Sequence, residues 1–184
     1  MCVLFAGLGR GLLHEGQTHL KLVVNQASLE EAVWLSSRLR SEDQQEVETS
    51  TGKPVEEVLL KAFDISAECF SLRFNDEPDL VALFGVAESS FGGVPWMLCT
   101  SEVTRGAIAI FREAPQWLNK WARQYGVLRN IVDLRNRLHI RWLVAAGCHF
   151  AFRSVWYNGH PFFTFTYRES KSCVIQLQSS PEPH

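Results

Sequence analysis

The stretch that decides the fold of this chain is Asn136-Arg137-Leu138-His139-Ile140-Arg141-Trp142-Leu143-Val144-Ala145-Ala146-Gly147. Asparagine is among the residues that cap the start of a helix, and glycine commonly follows the last helical turn. The run therefore predicts a helix that opens at Asn136, stops at Gly147 and leads into an aromatic strand.

Two aromatic segments follow this helix, at residues 150–156 and 162–167. The link between them, residues 157–161, contains Asn158-Gly159. An Asn-Gly pair between two strand-like runs is the strongest short-range signal for a β-hairpin. The C-terminal part of the chain is thus predicted to form a helix, a glycine stop and a hairpin, in that order.

Upstream of this helix the sequence alternates between strand and helix patterns. Strands are predicted at residues 20–24, 69–74, 80–87, 94–99 and 127–132, and helices at residues 29–40, from Pro54 onward, at 103–111 and at 116–125. The polar run 41–52 either continues the first helix or loops out, residues 89–93 form a flexible link, and a break is predicted before Pro115. Turn residues 75–78 favour an antiparallel pair of strands. The order predicts an α/β fold with a mixed central sheet flanked by helices.

Length and charge describe one domain of 184 residues with a formal net charge of -2. We predict a loose leader at residues 1–18, a domain at residues 19–168 and a tail at residues 169–184. Acidic residues crowd the first third and basic residues the later part of the chain. Solvated helix faces explain this asymmetry better than a nucleic-acid surface does, so nucleic acid is not an expected partner.

Cysteine and histidine spacing argue against a disulfide framework and a metal centre. The five cysteines are odd in number and contain no Cys-x-x-Cys pair, which indicates reduced thiols in a reducing cytoplasm. The six histidines contain no pair at i,i+4, so no metal is predicted. No segment approaches the roughly 20 apolar residues of a membrane span.

The helix, glycine stop and two strands resemble the C-terminal half of the GNAT superfamily of acyl-CoA N-acyltransferases. Two strings sharpen the resemblance: Trp96-Met97-Leu98-Cys99-Thr100-Ser101, and Asn136-x-x-His139-Ile140-Arg141-x-Leu143-x-x-x-Gly147. They resemble the internal virion protein A family of short-tailed coliphages, a GNAT-like group, over roughly residues 20–167. The resemblance implies a GNAT-like fold, a location in the virion or in the infected bacterial host cytoplasm, and a virion or host protein as partner.

The resemblance also implies acetyl-CoA as the cofactor if the chain is active, with Cys99, Thr100 and Asn136 at the cofactor. Family enzymes bind the coenzyme pyrophosphate with a Gln/Arg-x-x-Gly-x-Gly/Ala loop, whereas this chain has Thr100-Ser101-Glu102-Val103-Thr104-Arg105-Gly106-Ala107. Glu102 adds negative charge where phosphates are expected. The tyrosine that often serves as acid two turns past the helix-opening asparagine is also replaced, by the neighbourhood Trp142-Leu143-Val144.

Two residues are candidates for a catalytic base. His139 ordinarily titrates near neutral pH and lies one turn after Asn136, although a histidine bonded to backbone on a half-buried helix fits equally. Glu88 lies near the end of a central strand, although a lone glutamate there is more often a solvated charge.

The sequence is compatible with three functions. The first is a phage-type GNAT-fold protein with a degraded coenzyme A phosphate loop, acting inside the virion or in assembly. The second is an active acetyl-CoA-dependent N-acetyltransferase that acts on a host protein or small amine. A DNA-contacting accessory protein ranks last, because it depends only on the basic later part of the chain.

Overall fold

A computed structural model describes residues 20–75 and 77–169 of the chain. The predicted leader at 1–18 and all but the first residue of the predicted tail at 169–184 lie outside the described residues. The predicted domain boundaries therefore stay predictions.

Helices and strands alternate along the chain much as the sequence pattern predicts. In chain order they are β1 Leu22–Gln26, α1 Leu29–Ser36, α2 Ser41–Thr51, α3 Val55–Ile65, β2 Ser66–Phe74, β3 Ala82–Ser89, β4 Gly92–Cys99, a 3₁₀ helix Ser101–Thr104, α4 Ala107–Tyr125, β5 Leu128–Asp133, α5 Arg137–Ala145, β6 His149–Phe150, β7 Val155–Tyr157 and β8 His160–Tyr167. The strands form one sheet in the order β1-β2-β3-β4-β5-β8-β6, and β7 also pairs with β8. The predicted α/β class, mixed sheet and C-terminal hairpin are confirmed.

Helices cover both faces of the sheet. One core contains Ile110, Leu118 and Trp121 of α4, with Leu138 and Leu143 of α5 packed against it. The other core contains Ala32, Leu35 and Leu59 from α1 and α3. Within the described ranges, no helix is both long and apolar enough to cross a membrane.

The C-terminal signals read from the sequence form as predicted. The Asn136 side chain caps α5 by accepting a hydrogen bond from the His139 backbone N–H at 3.4 Å. Gly147, at φ 89°, turns the chain after the helix. Asn158 and Gly159 both have positive φ, 46° and 78°, as the two-residue turn of a β-hairpin requires.

Three local predictions are wrong. Helix α4 does not break at Pro115. Ile110 before the proline and Leu118 after it are both buried in one core, and that burial outweighs the roughly 3 kcal/mol cost of an internal proline. The predicted helix at residues 29–40 ends at Ser36, and the polar run forms a separate helix, α2. Residues 92–93 belong to β4 rather than to a flexible link.

The sheet opens between its two central parallel strands. Strands β4 and β5 are paired at one position, Gly93 opposite Leu128. Slightly further along, the strands are bridged by a side chain, since Asn130 Nδ2 donates to the Pro95 carbonyl oxygen at 2.8 Å. Beyond this bridge the two strands diverge, and the opening between them positions the candidate site.

Candidate binding cavity and its polar end

A cavity of about 310 Å³ lies at the opening between β4 and β5, and we call it the split cavity. Its lining includes Met97 and Trp117 from the α4 side of the sheet and Trp96 and Ala62 from the α3 side. Aromatic side chains are prominent among its walls: Phe84, Trp96, Trp117, Trp121, Trp142 and Phe165. The chain therefore encloses a mainly apolar, aromatic space that extends through its own sheet.

The edge of β4 that faces the split cavity is bonded to the chain's own α2 region. The Cys99 backbone N–H donates to Asp43 Oδ2 at 2.8 Å, and the Cys99 carbonyl accepts from the Arg40 backbone N–H at 2.9 Å. Gly93, six residues earlier on the same strand, donates to Val127 beside β5. Alternate residues of a strand direct their backbone groups to the same neighbour, so those of Cys99 point toward β5. Residues 40–43 thus occupy the place of a neighbouring strand at this end of β4.

Glu46, one helical turn after Asp43, lies beside the end of β5. Its carboxylate accepts from Asn136 Nδ2 at 2.7 Å, and the Asp133 backbone lies nearby. Burial raises the pKa of Glu46 to about 7; the hydrogen bond from Asn136 acts against this rise, the nearby Asp43 and Asp133 charges add to it, and the Asp133 backbone lowers the pKa slightly. Asp43, which bonds the last residue of β4, and Glu46, which lies beside the last residue of β5, are here named the α2 carboxylates.

The α2 carboxylates belong to a buried polar network. Arg40 Nη2 donates to Asp43 Oδ1 at 2.6 Å and to Asn136 Oδ1 at 2.8 Å. Asn136 Nδ2 lies 3.0 Å from His139 Nδ1. Burial lowers the pKa of His139 to about 4, so the ring is neutral at pH 7. Within residues 20–75 and 77–169 its Nε2 atom has no hydrogen-bond partner, and Asp43 Oδ1 lies 3.8 Å from it.

Three of these side chains also approach one another closely enough to hold a metal ion. Ligand atoms of Asp43, Cys99 and His139 lie within 4.8 Å of one another. However, the Arg40 guanidinium already holds the Asp43 carboxylate. Burial, reinforced by the Asp43 charge, also raises the pKa of the Cys99 thiol well above its ordinary value. A thiolate ligand is therefore disfavoured, and the geometry fits an internal hydrogen-bond network better than a metal centre.

The segment after β4 folds into a short 3₁₀ helix, and most side chains in and beside it are buried or bonded to other residues of the chain. Val103 is fully buried, and Thr100 Oγ1 donates to the Leu80 carbonyl at 3.1 Å. Arg105 forms ion pairs with Glu77 at 3.1 Å and with Glu102 at 2.7 Å. Two carboxylates, and an arginine that is already paired with both, therefore lie where the family resemblance places the coenzyme phosphates.

The structure brings together three of the predicted site residues. Cys99, Asn136 and His139 meet at the polar end of the split cavity, and Thr100 is adjacent in sequence but bonds toward β3. Glu88 is at the other end of the sheet opening, opposite Gly93, where it is exposed and does not line the cavity.

Sequence reasoning missed Arg40, Asp43 and Glu46. The available signal was helical spacing, because Asp43, Glu46, Val47 and Ser50 recur at i, i+3, i+4 and i+7 and all line the split cavity. Three of these four side chains are polar, so the stripe resembles a solvated face rather than a buried one.

Solved acetyltransferase structures are similar to this fold. The Salmonella typhimurium protein yncA, solved with its cofactor acetyl-CoA, superposes with a TM-score of 0.60 at 9% identity, over 83% of this chain and 96% of that chain. A GNAT-family acetyltransferase from Bacillus anthracis gives 0.56 at 12% identity, over 80% and 94%. Spermidine N-acetyltransferase from Vibrio cholerae, in complex with CoA and spermine, gives 0.54 at 12% identity, over 79% and 94%. No protein-family model and no curated protein matches the sequence.

The chain therefore has the GNAT acetyltransferase fold, and neighbours of that fold bind coenzyme A. At the ends of the diverging strands, the Cys99 backbone N–H is bonded to Asp43, and the Asp133 backbone lies beside Glu46. The loop beyond β4 places Glu102 and Glu77 around Arg105.

Proposed function

We propose that this chain is a GNAT-fold protein that works by binding a ligand or partner and does not transfer acyl groups from coenzyme A. The observation that carries the proposal is the position of the α2 carboxylates. Asp43 bonds the end of β4 and Glu46 lies beside the end of β5, so α2 covers the ends of both diverging strands. A cofactor arm entering there would have to displace a buried ion pair and its hydrogen bonds.

The loop after β4 supports the same conclusion by a separate route. Phosphate sites in proteins use free backbone N–H groups at a helix start, often helped by arginine or lysine. Here the basic side chain at the start of α4, Arg105, is neutralised by Glu77 and Glu102. A degraded phosphate loop therefore forms part of the proposal.

A role inside a phage virion or in its assembly extends the proposal. Its support is the sequence resemblance in residues 96–101 and 136–147. In this view the protein is in the virion or the infected bacterial host cytoplasm, and its partner is a virion or host protein. Mass spectrometry of purified particles tests this role, and a protein found in infected cells but not in particles would contradict a place in the virion.

A working N-acetyltransferase is the alternative, and one observation favours it. Glu46 lines the split cavity and has a pKa of about 7, which suits a general base at neutral pH. Glu46 is better placed for this role than His139, whose pKa is about 4, or Glu88, which lies outside the cavity. For this function α2 would have to release the ends of the strands.

Calorimetric titration of the folded protein with acetyl-CoA and with free coenzyme A separates the two functions. We expect no binding up to millimolar ligand in wild type, Asn136→Ala or Arg137→Ala. Arg137 is the matched control because it is exposed on the same helix. Micromolar binding that is lost in Asn136→Ala and kept in Arg137→Ala would overturn the proposal and support the enzyme.

A further inference from the structure

The charges around the split cavity indicate the class of ligand it accepts, and this inference rests on the proposed binding function. The cavity lining in the described part of the chain contains three carboxylates, those of Asp43, Glu46 and Glu113, and neither lysine nor arginine. The one histidine of the lining, His139, is neutral at pH 7 because burial lowers its pKa to about 4. The cavity therefore carries negative charge and disfavours an anion.

Glu46 is a half-buried carboxylate of this cavity that has no cationic hydrogen-bond partner among residues 20–75 and 77–169. The charge of Asp43 is balanced by the Arg40 guanidinium at 2.6 Å. Glu46 accepts from the neutral amide of Asn136 instead, and the guanidinium of Arg135 is held by Asp133. A half-buried carboxylate without a cationic partner is stabilised by a cation that reaches it.

The walls of the cavity suit a cation with an apolar body. Trp96, Trp117, Trp121 and Trp142 line it together with aliphatic side chains. Tryptophan faces attract weakly hydrated cations such as quaternary ammonium groups, and the aliphatic walls favour an apolar tail. The cavity reaches the surface beside Glu113, which is exposed, so a ligand has an acidic entrance.

We propose that the split cavity binds an apolar organic cation, a quaternary ammonium group with an aromatic or alkyl tail, and that the charged end lies at Glu46. Such a ligand is complementary both to the aromatic walls and to the Glu46 carboxylate. It carries no N–H bond, so its binding is distinct from acylation of an amine acceptor.

The test is calorimetric titration of the folded protein with phenethyltrimethylammonium and with its neutral carbon isostere, in which a carbon replaces the quaternary nitrogen. At about pH 8, where Glu46 is ionised, we expect wild type to bind the cation about tenfold more tightly than the isostere. Glu46→Gln should remove this preference while keeping affinity for the isostere. Glu48→Gln, an exposed position on the same helix that does not line the cavity, should behave as wild type.

Three outcomes would each overturn the inference. They are equal affinities of wild type for the two probes, a preference for the cation that survives in Glu46→Gln, and no saturable binding of the cation. Acetyl-CoA is titrated into the same protein samples as a separate arm. Binding of acetyl-CoA would contradict the proposed function without changing the comparison of cation and isostere, so the two failures are distinguishable.

Discussion

Replacing Glu46 with glutamine should change how the stability of this protein depends on pH. The side chain is half-buried beside Asp43 and Asp133, and its pKa rises from 4.5 to about 7. At about 1.4 kcal/mol per pKa unit, this rise corresponds to about 3 kcal/mol of stability that depends on protonation. Glutamine keeps a side-chain oxygen that can accept from Asn136 but does not titrate.

The direction of this pH dependence follows from whether the folded or the unfolded protein holds the proton more tightly. Between about pH 4.5 and 7 the folded protein keeps a proton on Glu46 that the unfolded chain releases, so stability from this group is full below pH 4.5 and is lost as the pH rises. His139 acts in the opposite direction, because its pKa falls from 6.5 to about 4 in the folded protein. The stability that the neutral His139 side chain contributes is therefore full above pH 6.5 and is lost as the pH falls. Between pH 4.5 and 6.5, the pH dependence from Glu46 and that from His139 nearly cancel in wild type.

Urea unfolding of wild type and Glu46→Gln at a series of pH values measures the effect. The difference in free energy of unfolding should grow in favour of the variant from near zero at pH 4.5 to about 2–3 kcal/mol above pH 7. Glu48→Gln, an exposed position on the same helix, should differ from wild type by a constant amount. A difference for Glu46→Gln that does not vary with pH would refute the raised pKa of Glu46 in the folded protein.

Two further substitutions test the packing that positions the site. Asp43→Ala leaves the buried Arg40 charge without its partner, so unfolding by urea should show a loss of about 3–5 kcal/mol, while the exposed Asp64→Ala should change stability by less than about 0.5 kcal/mol. Gly106→Ala would place a methyl group 2.2 Å from the Phe74 ring, so the variant should lose about 1–3 kcal/mol, read as a lower Tm. An unchanged Tm would show that the start of α4 is not packed against β2.

The elements that could be predicted from sequence carry local signals. Asn136 and Gly147 specify the start and end of α5 by hydrogen bonding and by positive φ, both properties of single residues. Asn158 and Gly159 specify the hairpin turn in the same way. Each of these choices depends on backbone chemistry within a few residues, which the sequence displays directly.

The elements that could not be predicted depend on distant partners. Helix α2 is a polar run in the sequence although Asp43 is buried and Glu46 half-buried in the fold, and their neighbours Cys99, Asp133 and Asn136 lie far away in the sequence. Carboxylates in a polar helix are ordinarily solvated, so the sequence gives no reason to bury them. The continuation of α4 through Pro115 could not be predicted for the same reason, because packing against the sheet stabilises that helix.

Amide resonances report directly on whether α2 keeps its place at the ends of β4 and β5. In an NMR titration with acetyl-CoA to millimolar concentration, we predict that the backbone amide resonances of Cys99 and Asp133 do not shift, because Asp43 bonds the Cys99 N–H and Glu46 lies against the Asp133 backbone. Saturable shifts at both amides, with that of the distant buried Leu59 unmoved, would contradict the account and show that coenzyme A displaces α2.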